Sequence, residues 1–270
     1  MPTQRTSPNQ SKRSKKVSNI LHKITDTIRA ITGAKDRTEP TTAIIVASGN
    51  STRMGDGISK QMILLNDMPV VAHTIKAFDE CECIKEIIVV AKEEEFCLYQ
   101  EFQKLYKFKK LVRLVSGGKT RQDSVKNGFA AISKDTRFVA IHDGARCLIT
   151  PSQIEKVCYA AYKHDCATAA TRAVDSVKIS SGKNLFIDSS ANRDHIWLAQ
   201  TPQVFKREIY ELALKKADAD NLIVTDDNSI VENLGCSIKL VECGRNNIKI
   251  TTPDDLALAL AIIQSREEKI

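Results

Sequence analysis

Three short stretches of this chain combine small residues, cations and a carboxylate in patterns that suit phosphate chemistry. The first is Ala47-Ser48-Gly49-Asn50-Ser51-Thr52-Arg53-Met54-Gly55. Its small side chains let backbone N–H groups come close to a phosphate. Arg53 and Lys60 add two cations seven residues apart. Charge builds on phosphorus when a new oxygen attacks it, so such cations suit phosphoryl or nucleotidyl transfer. Taken alone, a solvated surface loop explains the segment equally well. It has neither the Gly-Lys-Ser/Thr end of a Walker loop nor the G-x-G-x-x-G fingerprint. That argues against a dinucleotide-dependent dehydrogenase. The second stretch is Gly117-Gly118-Lys119-Thr120-Arg121-Gln122-Asp123-Ser124-Val125. Two glycines before a polar helix start can hold a base edge through main-chain groups, or form a plain turn. The third is His142-Asp143-Gly144-Ala145-Arg146. A carboxylate directly after an apolar strand suits Mg²⁺ on a phosphate, and Arg146 suits a bidentate phosphate grip. The competing reading is a buried Asp143–Arg146 pair. His142 reads as a core or supporting residue.

These loops need a scaffold that brings them to one place. From residue 41 onward, apolar runs alternate with helical patterns. Strands are expected at Ala43–Ala47, Glu86–Ala91, Leu111–Ser116, Phe138–His142 and Thr168–Val174. Helices are expected at Pro69–Phe78, Glu93–Tyr106 and Arg121–Ile132. Thr150-Pro151-Ser152-Gln153 and Thr252-Pro253-Asp254-Asp255 each place an N-cap, a first-turn proline and a capping-box partner in order. Two further helices are expected to start there, the second running through Ile263. The alternation implies an α/β fold, Rossmann-like, with a mostly parallel sheet and helices on both faces. Ligands of such sheets bind at the carboxyl ends of the strands, where all three stretches fall. Residues 175–195 are polar and break the rhythm, so they are expected to project as a β-arm. Asn247-Ile248-Lys249-Ile250-Thr251 is expected to set Lys249 mid-strand, either on an open edge or aimed into a site.

The net charge of +7 is unevenly distributed. Residues 1–40 hold nine Lys/Arg and three Asp/Glu, so the rest is nearly neutral and gives no reason to expect nucleic-acid binding. No apolar run approaches the roughly 18 residues of a membrane span. The chain starts without a secretory pattern, which leads to the expectation of a cytoplasmic protein with reduced cysteines. Residues 1–40 read as a basic extension ahead of a domain at 41–270. Within it, Val17, Ile20, Leu21, Ile24, Ile28 and Ile31 form one helical face over 17–31. Three outcomes are open to residues 17–31: packing on the protein's own domain, binding an anionic membrane surface or partner, or serving as a disordered or organellar targeting segment.

Taken together, the motifs resemble the 2-C-methyl-D-erythritol 4-phosphate cytidylyltransferase family over residues 42–265. Two further ordered motifs carry the resemblance, Trp197-x-Ala199-x-Thr201-Pro202-Gln203 and Asn247–Thr251. It implies transfer of a cytidylyl group from CTP to the polyol phosphate, with Mg²⁺ as cofactor and a homodimer that exchanges arms. It implies that Ala47, Ser48, Gly49, Gly118 and Ser124 hold CTP, with Arg53, Lys60 and Lys249 catalytic. Asp143 corresponds to the metal position, and Asp143, Arg146, Ser176, Arg193 and Thr201 to substrate positions. Ser176 and Arg193 would serve the neighbouring subunit's site. The sequence departs from the family at Ser48, where Ala or Gly is usual. It also departs at Met62, where an aromatic is usual, and at Cys147, where Pro commonly stands. None of these removes a charged group. Ribitol 5-phosphate is the alternative substrate. A non-catalytic nucleotide-binding scaffold is the alternative class, disfavoured by the presence of Arg53, Lys60 and Asp143.

Overall fold

A strand of apolar residues without polar alternation belongs between two layers, not at a surface. β1 (Thr41–Val46) and β4 (Ile84–Ala91) are of this kind, and Ile44, Ile45, Ile87, Ile88, Val89 and Val90 are fully buried. The computed structural model describes residues 38–49, 59–182 and 185–268. The expected helix at 17–31, Arg53 and most of the loop after Gly49 lie outside the described residues.

Between β1 and β4 come the short pair β2 (Leu64–Leu65) and β3 (Met68–Pro69) and helix α1 (Val70–Glu80). A single 3₁₀ turn, Glu93–Glu95, and α2 (Phe96–Leu105) replace the one helix expected at 93–106. β5 (Leu111–Ser116), α3 (Arg121–Ala130) and β6 (Phe138–Asp143) follow, then α4 (Pro151–His164) and β7 (Cys166–Arg172). The segment expected to project forms a two-stranded antiparallel hairpin of β8 (Lys178–Ile179) and β9 (Ser189–Ser190). The chain returns through β10 (Trp197–Lys206), α5 (Arg207–Ala219), α6 (Asp227–Asn233), β11 (Lys239–Glu242) and α7 (Pro253–Glu267). The described residues contain no helix long and apolar enough to cross a membrane.

Seven strands form the main sheet in the order β11-β7-β10-β6-β1-β4-β5. Only β10 runs against its neighbours, lying antiparallel to both β6 and β7. The other pairings are parallel. Alternate residues of the strands feed two cores. Ala43, Ile45, Ile87 and Val89 face one that includes Phe78, Tyr99 and Val157; Val139, Ile141 and Phe205 face another with Tyr210, Ile230 and Val231. A third cluster seats α7 against Leu65, Leu148 and Ile250.

Local chemistry sets the helix starts. Thr150/Gln153 and Thr252/Asp255 form the expected capping boxes, and Thr120/Asp123 forms a third at the head of α3. All eight cysteines are free, Cys97 on the surface and most of the others buried. One expectation is corrected. Lys249 is not in a strand: residues 246–250 are irregular, tied to the loop after β6 by Ile250 N–H donating to Ala145 O at 2.8 Å.

Parallel pairing aligns the strand ends. Val46 on β1 stands beside Asp143 on β6 and Val90 on β4. The chain therefore leaves β1 and β6 at one edge of the sheet. Helix α3 can lie close to that sheet because Gly128 has no side chain. A Cβ there would stand 2.6 Å from Ile44 Cγ2 and 2.8 Å from Val90 Cγ2. Gly128→Leu is therefore expected to destabilise the fold by about 1–3 kcal/mol, the usual cost of overpacking. Urea unfolding midpoints will measure it, and an unchanged midpoint would mean that α3 does not rest tightly on β1.

Candidate active site

The loop after β1 and the first turn of α3 touch through two serines. Ser48 Oγ lies 3.0 Å from Ser124 Oγ. Ser124 Oγ donates to Thr120 O at 2.9 Å and accepts from Gly118 N at 3.0 Å, so Ser48 is the donor in the serine pair. The approach is close enough to demand glycine: a Cβ on Gly117 would fall 2.3 Å from Ser48 Cβ. The result is a wall of small residues and main-chain groups at the carboxyl end of the sheet.

Opposite that wall stands Asp143, 8% exposed. Three cations surround it, each from a different segment. Lys249 Nζ is 2.9 Å from Oδ2, Arg146 Nε is 3.6 Å from Oδ2, and Arg121 Nε is 3.4 Å from Oδ1. Burial alone would raise the Asp143 pKa, but Lys249, Arg121 and Arg146 together outweigh it and hold the carboxyl well below its ordinary range. Asp143 is thus ionised at any working pH. The simple Asp143–Arg146 pair is not what forms, because Lys249 is the nearest cation and Arg146 also donates from Nη1 to Asn247 O at 2.8 Å.

A fixed hydrogen-bond chain runs behind the carboxylate. His142, fully buried, has Nε2 3.2 Å from Arg146 O, and a carbonyl can only accept. That nitrogen therefore carries the proton. Nδ1 is left as an acceptor for the Thr201 hydroxyl at 3.0 Å, and Thr201 Oγ1 in turn accepts from Asp143 N at 3.1 Å. Burial is the main reason the His142 pKa is lowered, to about 3.

Two cavities open here. The first, of about 280 Å³, is lined by Ser48, Gly49, Lys60, Gln61, Gly118, Lys119, Thr120, Arg121, Ser124, Asp143 and Lys249, among others. The second, of about 360 Å³, is lined by Arg146, Arg172, Asp175, Gln200, Arg245 and Lys249, among others. Lys249 belongs to both. Of the residues singled out in the sequence, Ser48, Gly49, Lys60, Gly118, Ser124, Asp143 and Lys249 line the first cavity and Arg146 the second. Ala47 is buried beneath the wall, donating its N–H to Val90 O at 2.7 Å. Thr201 is buried behind Asp143. Ser176 and Arg193 line neither cavity; both are exposed on the hairpin segment, and Arg193 Nη1 donates to Val174 O at 2.9 Å. Arg121 also contributes to the site, although sequence reasoning gave it no role. Its only signal was its place in the quoted glycine motif.

The donor set suits a hard divalent cation. Asp143 is an oxygen donor lining a cavity, its carboxyl held below the ordinary range by the cations around it. Mg²⁺ takes one or two carboxylates and completes its shell with substrate phosphates and water. The described residues contain no cluster of three or more His, Cys, Asp or Glu that could hold a metal by itself.

The neutral state of His142 has a consequence for stability. A histidine with a lowered folded pKa takes up its proton more readily when unfolded. Its contribution is thus full above about pH 6.5 and is lost as pH falls toward 3. Between pH 7 and 5, above the range in which Asp143 protonates, the wild-type chain is expected to lose stability on the order of 1 kcal/mol per pH unit below 6.5 from this group. His142→Gln should remove that component. Urea denaturation at pH 7, 6 and 5 provides the check, and parallel losses in both proteins would assign the pH dependence elsewhere.

Comparison with known proteins gives a consistent result. Residues 41–265 match the family model for 2-C-methyl-D-erythritol 4-phosphate cytidylyltransferase. The proteins of that name from Caldanaerobacter subterraneus and Alkaliphilus oremlandii are each 43% identical to this chain. The matches run over 219 and 230 residues, covering 80% and 84% of this chain and 96% and 97% of theirs. The crystal structure of 4-diphosphocytidyl-2C-methyl-D-erythritol synthase from Anaerococcus prevotii superposes with a TM-score of 0.76 at 28% identity, covering 84% of this chain and all of that one. The Francisella tularensis 2-C-methyl-D-erythritol 4-phosphate cytidylyltransferase gives 0.68 at 31% identity, over 82% of this chain and 98% of its own. The match over residues 41–265 and the 43% identity to these relatives show that this chain belongs to the 2-C-methyl-D-erythritol 4-phosphate cytidylyltransferase family.

Proposed function

We propose that the protein transfers a cytidylyl group from CTP to 2-C-methyl-D-erythritol 4-phosphate, releasing pyrophosphate and forming the CDP-alcohol for isoprenoid biosynthesis. The observation that carries this reading is the pair of cavities that share Lys249, within a family whose named relatives perform this reaction. CTP takes the first cavity. Gly118 and Ser124 hold the cytosine, and Ala47, Ser48 and Gly49 provide the backbone approach to the triphosphate. The polyol phosphate takes the second cavity, where Arg146 grips it. Thr201 serves the substrate indirectly by holding Asp143.

The attacking phosphate oxygen is already anionic, so no strong general base is needed. The chemistry reduces to positioning and charge stabilisation. Lys249 stands where the two ligands meet and steadies both the incoming phosphate and the phosphorus it attacks. Lys60 and Arg53 neutralise charge building on the α-phosphate. Asp143 orients Lys249 through their 2.9 Å ion pair. Mg²⁺, anchored by Asp143, would neutralise and align the phosphates of CTP. The cations of the cavities suit polyanionic small molecules, and no nucleic-acid partner is proposed.

We further propose a homodimer in which the 175–195 arm reaches a partner, so that Ser176 and Arg193 serve the partner's site. We propose a division of the sequence into a basic extension at residues 1–40 and a catalytic domain at 41–270, and a cytoplasmic location.

Pyrophosphate release with CTP and methylerythritol phosphate tests the main reading. Turnover is expected with that substrate and Mg²⁺, far less with ribitol 5-phosphate, and loss with excess EDTA. Full activity in EDTA would remove the metal from the scheme, and preference for ribitol 5-phosphate would replace the substrate.

Subunit mixing tests the arm. Lys60→Ala and Arg193→Ala are each expected to lower kcat about 10²–10³-fold. If arms are exchanged, a heterodimer of the two variants carries both lesions in one site and leaves the other intact. Activity should return to as much as about half of wild type per heterodimer. Proven heterodimers without recovery would put Arg193 in its own subunit's site.

A further inference from the structure

Arg121 is held from behind by a carboxylate that has no place in the reaction described above. Asp227, the first residue of α6, is 1% exposed. Its Oδ2 accepts from Arg121 Nη1 at 2.7 Å, and its Oδ1 accepts from the hydroxyl of fully buried Tyr210 at 2.5 Å. Its backbone N–H donates to Gln203 Oε1 at 3.0 Å, while Gln203 Nε2 donates to Asp226 Oδ2 at 3.0 Å. Asp226 caps α6 by accepting from Ser229 N at 3.2 Å. Every oxygen of the Asp227 carboxylate is thus committed, and the residue is fixed to β10, α5 and α6 together.

We propose that Asp227 is a positioning residue for the transfer reaction, acting through Arg121 on Asp143. The guanidinium spans two carboxylates, with Nη1 on Asp227 and Nε toward Asp143. A planar fork whose one prong is pinned has a fixed direction for the other. Asp227 therefore sets where Arg121 stands on the wall of the first cavity, and so sets one of the three charges that orient Asp143. It also neutralises part of the Arg121 charge. Burial alone would lower the Arg121 pKa, but Asp227 and Asp143 outweigh it, so Arg121 remains a cation. A lysine in place of Arg121 supplies the charge but not the fork.

The inference rests on the proposed cytidylyl transfer, and the test separates the two. Wild type, Asp227→Asn, Arg121→Lys, Arg121→Gln and the double Asp227→Asn/Arg121→Gln protein are assayed for pyrophosphate release with Mg²⁺, well below the lowest thermal midpoint of the set. Each single change is expected to lower kcat about 10- to 100-fold, the range typical of groups that orient a site carboxylate. The dissociation constant of CTP, read by calorimetry, should move less than kcat. The double variant should be no slower than the slower single, because the two residues act as one unit. Arg121→Lys should recover part of what Arg121→Gln loses. Crystal structures add a readout independent of turnover: in Asp227→Asn the Arg121 guanidinium should leave hydrogen-bonding reach of Asp143.

Single variants with wild-type kcat and only a lower melting temperature would overturn the positioning role. So would losses that multiply in the double variant, or an Arg121 that stays in place in the Asp227→Asn crystal. Should Asp227→Asn fail to fold, Tyr210→Phe, which removes one hydrogen bond from the same carboxylate, gives the same comparison with a smaller loss. Failure of the wild type to release pyrophosphate would instead overturn the substrate pair and leave the crystal comparison to decide the clamp.

Discussion

The Asp143 carboxylate is nearly buried, and a charge removed from water is tolerated only when partners surround it. Those partners come from three places in the sequence: Arg121 at the head of α3, Arg146 in the loop after β6, and Lys249 in the irregular segment before α7. The requirement to neutralise one carboxylate thus draws together the ends of three segments that share no secondary structure. The chain His142–Thr201–Asp143 fixes the same residue through its backbone. Asp143 is positioned from both its main chain and its side chain, and the cavity walls on either side take their places relative to it.

The charges around it do not cancel. Among the described residues lining the two cavities, Lys119, Arg121, Arg146, Arg172, Arg245 and Lys249 stand against the carboxylates Asp143 and Asp175. The excess is positive and lines the cavities, whose walls concentrate the field. A polyanion entering such a site meets cations that are already placed, with little reorganisation left to perform. The glycine and serine wall adds main-chain donors without adding bulk. Ser48, where a departure from the family pattern was expected, uses its hydroxyl: it donates to Ser124 and ties the loop after β1 to the first turn of α3. The departure is therefore accommodated within the wall. Cys147 is likewise absorbed, buried in the cluster that seats α7.

Much of this was legible in the sequence because it was encoded locally. Apolar runs without alternation marked β1, β4 and β6. Capping boxes at Thr150 and Thr252 marked two helix starts to the residue. The three sequence loops that line the first cavity stood directly after β1, β5 and β6. What escaped was encoded at long range. Lys249 was expected in a strand because Ile248 and Ile250 flank it, but those apolar residues pack toward α7 and no neighbouring strand pairs with them. β10 was hidden because its middle is Gln-Thr-Pro-Gln, a polar stretch whose side chains bond to buried partners instead of water. Asp227 carried no local sign at all. Its meaning appears only when Arg121, more than a hundred residues earlier, is set against it. Pattern reading finds a residue whose neighbours in sequence explain it, and misses one explained by neighbours in space.

The hairpin at residues 178–190 raises a further physical question. Two strands of two residues each supply too few ladder bonds to hold themselves in water. The turn also carries Leu185, Phe186 and Ile187 in the open, with Phe186 75% exposed. Three consecutive large apolar residues at the tip of a marginal hairpin leave apolar area exposed with no compensation inside the described chain. The ordering of such an arm is most easily understood if another surface covers it. The homodimer proposed above would cover it, since a self-complementary contact supplies an identical arm in return. Ser176 and Arg193 lie at the base of this hairpin and outside both cavities of their own chain. The same contact that hides the apolar tip would thus carry two polar side chains toward the other copy, which links the stability of the arm to the completeness of the site it reaches.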